Sequence, residues 1–162
     1  MHNPINLSFN EFTHLIMPIG VIVVNWNFVE YSLDTCVKVI YHDYGGKTIL
    51  KKYENQVPVS MTSKTELLEM CLRKKDNLIS FKTQGLSLVK RSLALSKERN
   101  TIIHMRLKAK NPDGSFTFIK TDYKSIHEYR QVTYTLNQFC DFGKEIIYLG
   151  NDLVDFATRL LD

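Results

Sequence analysis

From about Pro18 to His42, apolar residues recur in steps of three and four, at Ile19, Ile22, Val23, Trp26, Val29, Leu33, Val37 and Ile40. A stripe of that period lies along one side of an α-helix, so the stretch is expected to form a long helix with one buried face. Gly45 and Gly46 close it, and a polar connection containing Pro58 follows. "SKTE", Ser63 to Glu66, has the Ser-x-x-Glu form in which side chains and backbone amides satisfy one another at a helix start. The shorter helix it opens runs through Leu67, Leu68, Cys71 and Leu72. After a break near Asp76 to Lys82, a third helix is expected from about Gly85 through Leu86, Val89, Leu93 and Ile102 to His104.

Beyond His104 the period changes from helix to strand. "MRLKAKNPDGSFTFIK" carries Asn-Pro-Asp-Gly between two alternating runs, a strong hairpin signal. Folding it about Asn111 to Gly114 pairs Lys110 with Ser115, puts Leu107, Ala109, Phe116 and Phe118 on one face, and leaves Arg106, Lys108 and Lys110 on the other. The hairpin spans about 105–121, and Tyr129 to Thr133 offers a third short strand. A last helix should start near Thr135, where "TLNQ" is a second capping box, and run to Leu161. Its stripe is Leu136, Phe139, Cys140, Ile146, Ile147, Leu153, Val154, Leu160 and Leu161. Gly143, Gly150 and Ala157 recur every seven residues along it and favour close approach of a neighbouring helix.

With 162 residues, 44% of them apolar, the chain suits a single mainly α domain, a helical bundle with one hairpin, preceded by an extension over residues 1–13. Cys36, Cys71 and Cys140 are odd in number, widely spaced and set in apolar patterns, which points to buried reduced thiols and a cytoplasmic chain. The apolar run Leu15 to Val24 contains Pro18 and Gly20 and has no Lys or Arg before it, so neither a membrane span nor a signal peptide is expected. Charge is uneven. Between Lys64 and Lys108 stand 11 Lys or Arg against 4 Asp or Glu, a surplus of +7 in a chain whose total is +4. A basic half permits nucleic-acid contact without demanding it.

Several chemistries are set aside. "GGKT", Gly45 to Thr48, lacks the upstream glycine and leading strand of a phosphate-binding loop, since Tyr41 and a helix precede it. His2, His14, His42 and His127 have no spacing that puts two metal ligands on one helical face, and there is no CxxC, so no metal and no cofactor are expected. A Gly-x-Ser-x-Gly elbow is absent.

"ERNTIIH", Glu98 to His104, gathers an arginine, an asparagine and a histidine where the third helix ends. RNA can be cut by its own 2′-hydroxyl if one group moves protons and a cation steadies the charge growing on phosphorus. Histidine titrates near neutrality and suits the first task. Arginine presents a permanently charged fork to phosphate oxygens and suits the second; asparagine can orient either. In a regular helix, however, His104 lies about 140° round the axis from Arg99, whereas Asn100 and His104 share a face. Either the helix loosens at its end or a second copy of the chain completes the site.

These residues resemble the Arg-polar-x-x-x-His signature of HEPN domains. So does their setting: "WNFVEYSL", Trp26 to Leu33, in the first helix, the signature near the end of the third, "PDG" in a hairpin after it, and a long final helix. The resemblance spans about Ile19 to Leu161, is to small bacterial proteins of this class, and departs at Met105, where glycine is common. It implies a four-helix up-and-down bundle and a metal-independent endoribonuclease acting as a homodimer on single-stranded RNA. Arg99, Asn100 and His104 become the catalytic candidates, with Arg106, Lys108 and Lys110 as the RNA-binding face. The same residues admit another reading, in which Glu30 pins Arg99, His104 caps its helix, and the chain is a non-catalytic HEPN-like module that binds RNA, a nucleotide or a partner protein.

Overall fold

The computed structural model describes residues 8–121 and 129–162. The chain is mainly α, with helices α1 (Phe9–Asp43), α2 (Met61–Lys74), α3 (Lys82–His104) and α4 (Leu136–Leu161). Strands β1 (Arg106–Lys110), β2 (Phe116–Thr121) and β3 (Tyr129–Tyr134) form an antiparallel sheet in that order. The expected break between α2 and α3 is a 3-10 turn, Asp76–Phe81.

Three helix starts differ from the sequence reading; that of α3 moves least, from about Gly85 to Lys82. α1 begins nine residues before Pro18, so residues 9–13 of the expected extension are helical, and residues 1–7 lie outside the described part. Its cap is Ser8-x-x-Glu11: the Glu11 amide donates to Ser8 Oγ at 3.3 Å, and the Ser8 amide donates to Glu11 Oε2 at 2.8 Å. α2 begins at Met61 because Ser60, not Ser63, is its cap, accepting from the Ser63 amide at 3.2 Å. Glu66 is drawn elsewhere, to Lys52 Nζ at 2.5 Å and the Tyr53 hydroxyl at 2.6 Å. The cap of α4 is as expected: Gln138 N–H donates to Thr135 Oγ1, and Thr135 N–H donates to Gln138 Oε1.

The chain divides into two compact units, Met1–Val24 with Glu98–Glu145, and Asn25–Lys97 with Ile146–Asp162. In the first, the sheet buries Phe116, Phe118 and Ile119, with Leu15, Ile22, Ile102, Met105 and Phe139 also buried. Phe118 meets Phe139 edge to face at 5.9 Å. Along β1, Arg106, Lys108 and Lys110 are exposed and Leu107 and Ala109 half-buried, the alternation expected. The register matches at Leu107 opposite Phe118, but Lys110 stands opposite Phe116 rather than Ser115. A bulge between Leu107 and Ala109 absorbs the one-residue offset. At the turn, the Asn111 amide donates to the Ser115 carbonyl, and Asp113 Oδ1 accepts from both the amide and the hydroxyl of Ser115.

In the second unit, Trp26, Val29, Leu33, Val37 and Ile40 of α1 are buried, as are Leu67, Leu68 and Leu72 of α2 and Leu149, Leu153, Phe156 and Leu160 of α4. Each such side chain contributes about 1.5–3 kcal/mol by leaving water. Cys36 and Cys71 are buried and free, and burial pushes their thiols up to about 12 and about 11. Cys140, expected to be buried, is exposed. Val154 and Leu161, assigned to the same stripe, are also exposed.

The close approach inferred from the α4 glycines holds at Gly150, where a Cβ would sit 2.5 Å from Phe28 Cδ1. At Gly143 the nearest atom, Val21 Cγ1, would be an ordinary 3.6 Å away. Gly85 of α3 is nearly as tight and faces two fully buried side chains: its Cβ would lie 2.6 Å from Leu72 Cδ1 and 3.0 Å from Phe156 Cζ. Gly85→Ala is therefore expected to lower stability by about 1–3 kcal/mol through overpacking. Gly143→Ala should raise it by up to about 1 kcal/mol through helix propensity. Urea denaturation of the two variants checks this, and equal shifts in one direction would refute the packing difference.

Candidate functional site

Arg99, Asn100 and His104 occupy the last turns of α3, and Arg106, Lys108 and Lys110 follow on β1, so all six belong to the first unit. The joint between helix and strand is one residue, Met105, which is 9% exposed. Anchoring that side chain leaves its neighbours His104 and Arg106 exposed. Thr101 and Ile102 are buried, so α3 is fixed on the side away from Asn100 and His104, which share the open face. The helix stays α through His104. Looser winding therefore does not bring Arg99 and His104 together, and the divergence of about 140° stands within one chain.

Arg99 is half-buried. Its Nη1 donates to Asn100 Oδ1 at 3.0 Å, and its Nε is buried with no hydrogen-bond acceptor. Among the described residues it makes no ion pair, whereas Arg73 and Arg91 pair with Glu69 and Asp152. Glu98, adjacent in sequence, is occupied by the Tyr134 hydroxyl, which donates to its Oε1. Glu30, the partner considered for Arg99, belongs to the second unit and accepts from Trp26 Nε1 at 2.9 Å.

The three cations of β1 are not equivalent. Lys110 Nζ is ion-paired with Glu11 Oε1. Lys108 Nζ donates to Gln131 Oε1 of β3 at 3.2 Å. Arg106 makes no such contact among the described residues and is exposed. Glu11, Gln131 and Tyr134 thus shape the site although the sequence reading did not single them out. Only Glu11 had a local signal, the Ser8-x-x-Glu11 cap.

Among the described residues no group of three or more His, Cys, Asp or Glu side chains is placed to hold a metal ion; His2 and His127 lie outside them. A surface groove of about 530 Å³ is lined by Glu69, Arg73, Leu86, Ser87, Val89, Lys90 and Leu93, none of them a candidate from the signature. Comparison with protein-family models, with curated proteins and with solved structures finds no match to this chain.

The Lys110 ammonium and the Ser8 amide and hydroxyl hold the Glu11 carboxyl well below its usual value of 4.5, at about 2. A depressed carboxylate adds its stabilisation fully above the ordinary value and loses it as pH falls through the folded one. The Glu11 pairing should therefore persist at pH 4 and disappear towards pH 2. Carboxyl-carbon NMR of Glu11 reads this directly, and a midpoint at the ordinary value would show that Lys110 is not held.

Proposed function

We propose that this chain is a HEPN-like, metal-independent endoribonuclease that acts as a homodimer on single-stranded RNA in the cytoplasm. The observation that carries the reading is Arg99: a half-buried guanidinium, steadied by Asn100, with an unmatched N–H and no carboxylate among the described residues to neutralise it. A buried donor left without an acceptor is costly, and a charged one more so. A phosphate oxygen meeting the exposed part of the guanidinium supplies the opposite charge that no carboxylate here provides. His104, exposed on the open face it shares with Asn100, supplies an imidazole, a side chain suited to proton transfer.

In the proposed reaction the 2′-oxygen forms a bond to phosphorus as its proton passes to a base, and the bond from phosphorus to the 5′-oxygen breaks as that oxygen takes up a proton. His104 is the acid–base group, Arg99 stabilises the phosphorane-like charge, and Asn100 holds Arg99 in place. The products are a 2′,3′-cyclic phosphate and a 5′-hydroxyl. Arg106, Lys108 and Lys110 would line the approach of the RNA backbone, with Arg106 contributing most because Lys108 and Lys110 already have partners. Four helices, with a hairpin between the third and fourth, also fit an up-and-down HEPN-like bundle.

The regular geometry of α3 favours a second reading, a non-catalytic HEPN-like module that binds RNA, a nucleotide or a partner protein. One chain alone does not aim Arg99 and His104 at one phosphorus atom, so cleavage requires a second copy.

The purified chain should cleave single-stranded RNA in EDTA, with termini carrying cyclic phosphate and 5′-hydroxyl. His104→Ala should slow cleavage by about 10²–10⁴-fold, the usual worth of a positioned acid–base group, while leaving RNA binding within a few-fold. Binding without cleavage over long incubation supports the second reading, and full activity in a folded His104→Ala variant removes His104 from the scheme.

A further inference from the structure

α1 is apolar on both sides. Within the first unit its inner side buries Leu15 and Ile22. Its outer side exposes Phe9 (83%), Phe12 (51%), Ile16 (45%), Met17 (67%), Val21 (46%) and Val24 (68%). At 100° per residue, Met17 and Val24 lie opposite the buried pair, with Phe12 and Ile16 on one flank and Val21 on the other. A helix that is apolar all round is ordinarily covered all round. By length and composition alone, α1 is also apolar enough to cross a membrane.

Area and charge decide between occupants. If all six are given the ~150–250 Å² of an aromatic side chain, an upper figure for the four aliphatic ones, their exposed shares amount to at most something on the order of 700 Å² per copy, approaching the ~800 Å² per partner of a standard protein interface. That is more than the ~300–600 Å² of the largest apolar patch on a typical monomer. A helix lying on a membrane surface carries Lys or Arg on its polar side to meet anionic lipid, but the first basic Lys or Arg of this chain is Lys38. A spanning helix would face lipid with sides that here bury Leu15 and Ile22 against protein. Gly20 adds a separate indication. It is exposed, stands between Met17 and Val24 on the outer side, and an added Cβ there would meet nothing within 4 Å. The chain's own packing gives no reason for a glycine in mid-helix, which costs up to about 1 kcal/mol against alanine. A closely crossing helix would.

We propose that the outer face of α1, from Phe9 to Val24, is covered by the same face of a second copy of the chain, the two helices crossing at Gly20 about a two-fold axis. A self-complementary patch of this kind is what a two-fold dimer requires. No charged side chain from Phe12 to Val24 opposes the pairing, and Glu11 is already neutralised by Lys110. The inference assigns a surface to the homodimer of the proposed nuclease and rests on that reading only for the need of a second copy.

Sedimentation velocity of the full chain, as wild type, Met17→Glu/Val24→Glu and Gly20→Phe, tests the assignment, with circular dichroism confirming the fold. The wild type should be a dimer at micromolar concentration, and both variants should bind their second copy at least about 30-fold more weakly, as expected for loss of a central interface anchor. Hydrogen exchange of the unmodified chain across a dilution series gives a readout that needs no variant: protection of residues 12–24 should fall as the chain is diluted. A monomeric wild type, or a dimer unaffected by either folded variant, overturns the proposal. So does flotation of the wild type with phosphatidylserine vesicles that is lost in Met17→Glu/Val24→Glu while self-association is unchanged, an outcome that assigns the face to lipid. RNA cleavage is scored separately: a dimer through α1 that never cuts RNA sinks the nuclease reading alone, and a dimer that cuts RNA but is unaffected by the folded α1 variants sinks the α1 surface alone.

Discussion

A joint of one residue governs the first unit. α3 ends at His104 and β1 begins at Arg106, so the chain passes from a repeat of 3.6 residues to a repeat of two across Met105 alone. So short a joint has little freedom, and burying Met105 removes most of what remains. The position of β1 follows, then that of β2 and β3 through the ladder, and with them the cluster of Phe118, Tyr134 and Phe139. The same anchoring turns His104 and Arg106 outward together. Structural rigidity and exposure of the candidate chemistry therefore have one cause.

Periodicity made most of the fold legible. The long helices, the hairpin about Asn111 to Gly114, the third strand and the Thr135 cap all follow from local patterns, because each is settled by residues within a few positions of one another. The misreadings arose where two local patterns competed. Ser60 and Ser63 both suit a cap, and the choice turned on Glu66, which Lys52 and Tyr53 hold away from the helix start. On α4 the buried line runs through Phe139, Ile146, Leu149, Leu153, Phe156 and Leu160. Cys140, Val154 and Leu161 each follow a member of that line by one residue, about 100° round the helix, and so fall outside it. The start of α1 was obscured because Phe9, Phe12 and Ile16 are apolar yet exposed, and so break the expected contrast between a buried and a polar face.

For the site, residue types and places were legible and their partners were not. Arg99, Asn100, His104 and the cations of β1 stand where the sequence puts them, at a helix end and on the open side of a strand. Which of those charges are already satisfied depends on residues far away in the chain. Lys110 meets Glu11 across 99 positions, Tyr134 meets Glu98 across 36, and Lys108 meets Gln131 across 23. No local period encodes such pairs; they appear only once the sheet and the start of α1 have been assembled.

Those long-range pairs set the electrostatics of the candidate surface. Glu11 uses one oxygen to close the cap of α1 through Ser8 and the other to hold Lys110. An acid in the first turn also opposes the positive end of the helix, so the carboxylate has two reasons to stay where it is besides Lys110. An RNA phosphate that sought Lys110 would compete with a carboxylate already in place. Arg99 and Arg106 face no such competition, since neither has a carboxylate partner among the described residues. They bracket His104 in the chain, one in the last turns of α3 and the other at the start of β1. The uncompensated positive charge of these residues thus falls on Arg99 and Arg106, which flank His104 in the chain, while the regular winding of α3 keeps Arg99 and His104 about 140° apart within one copy.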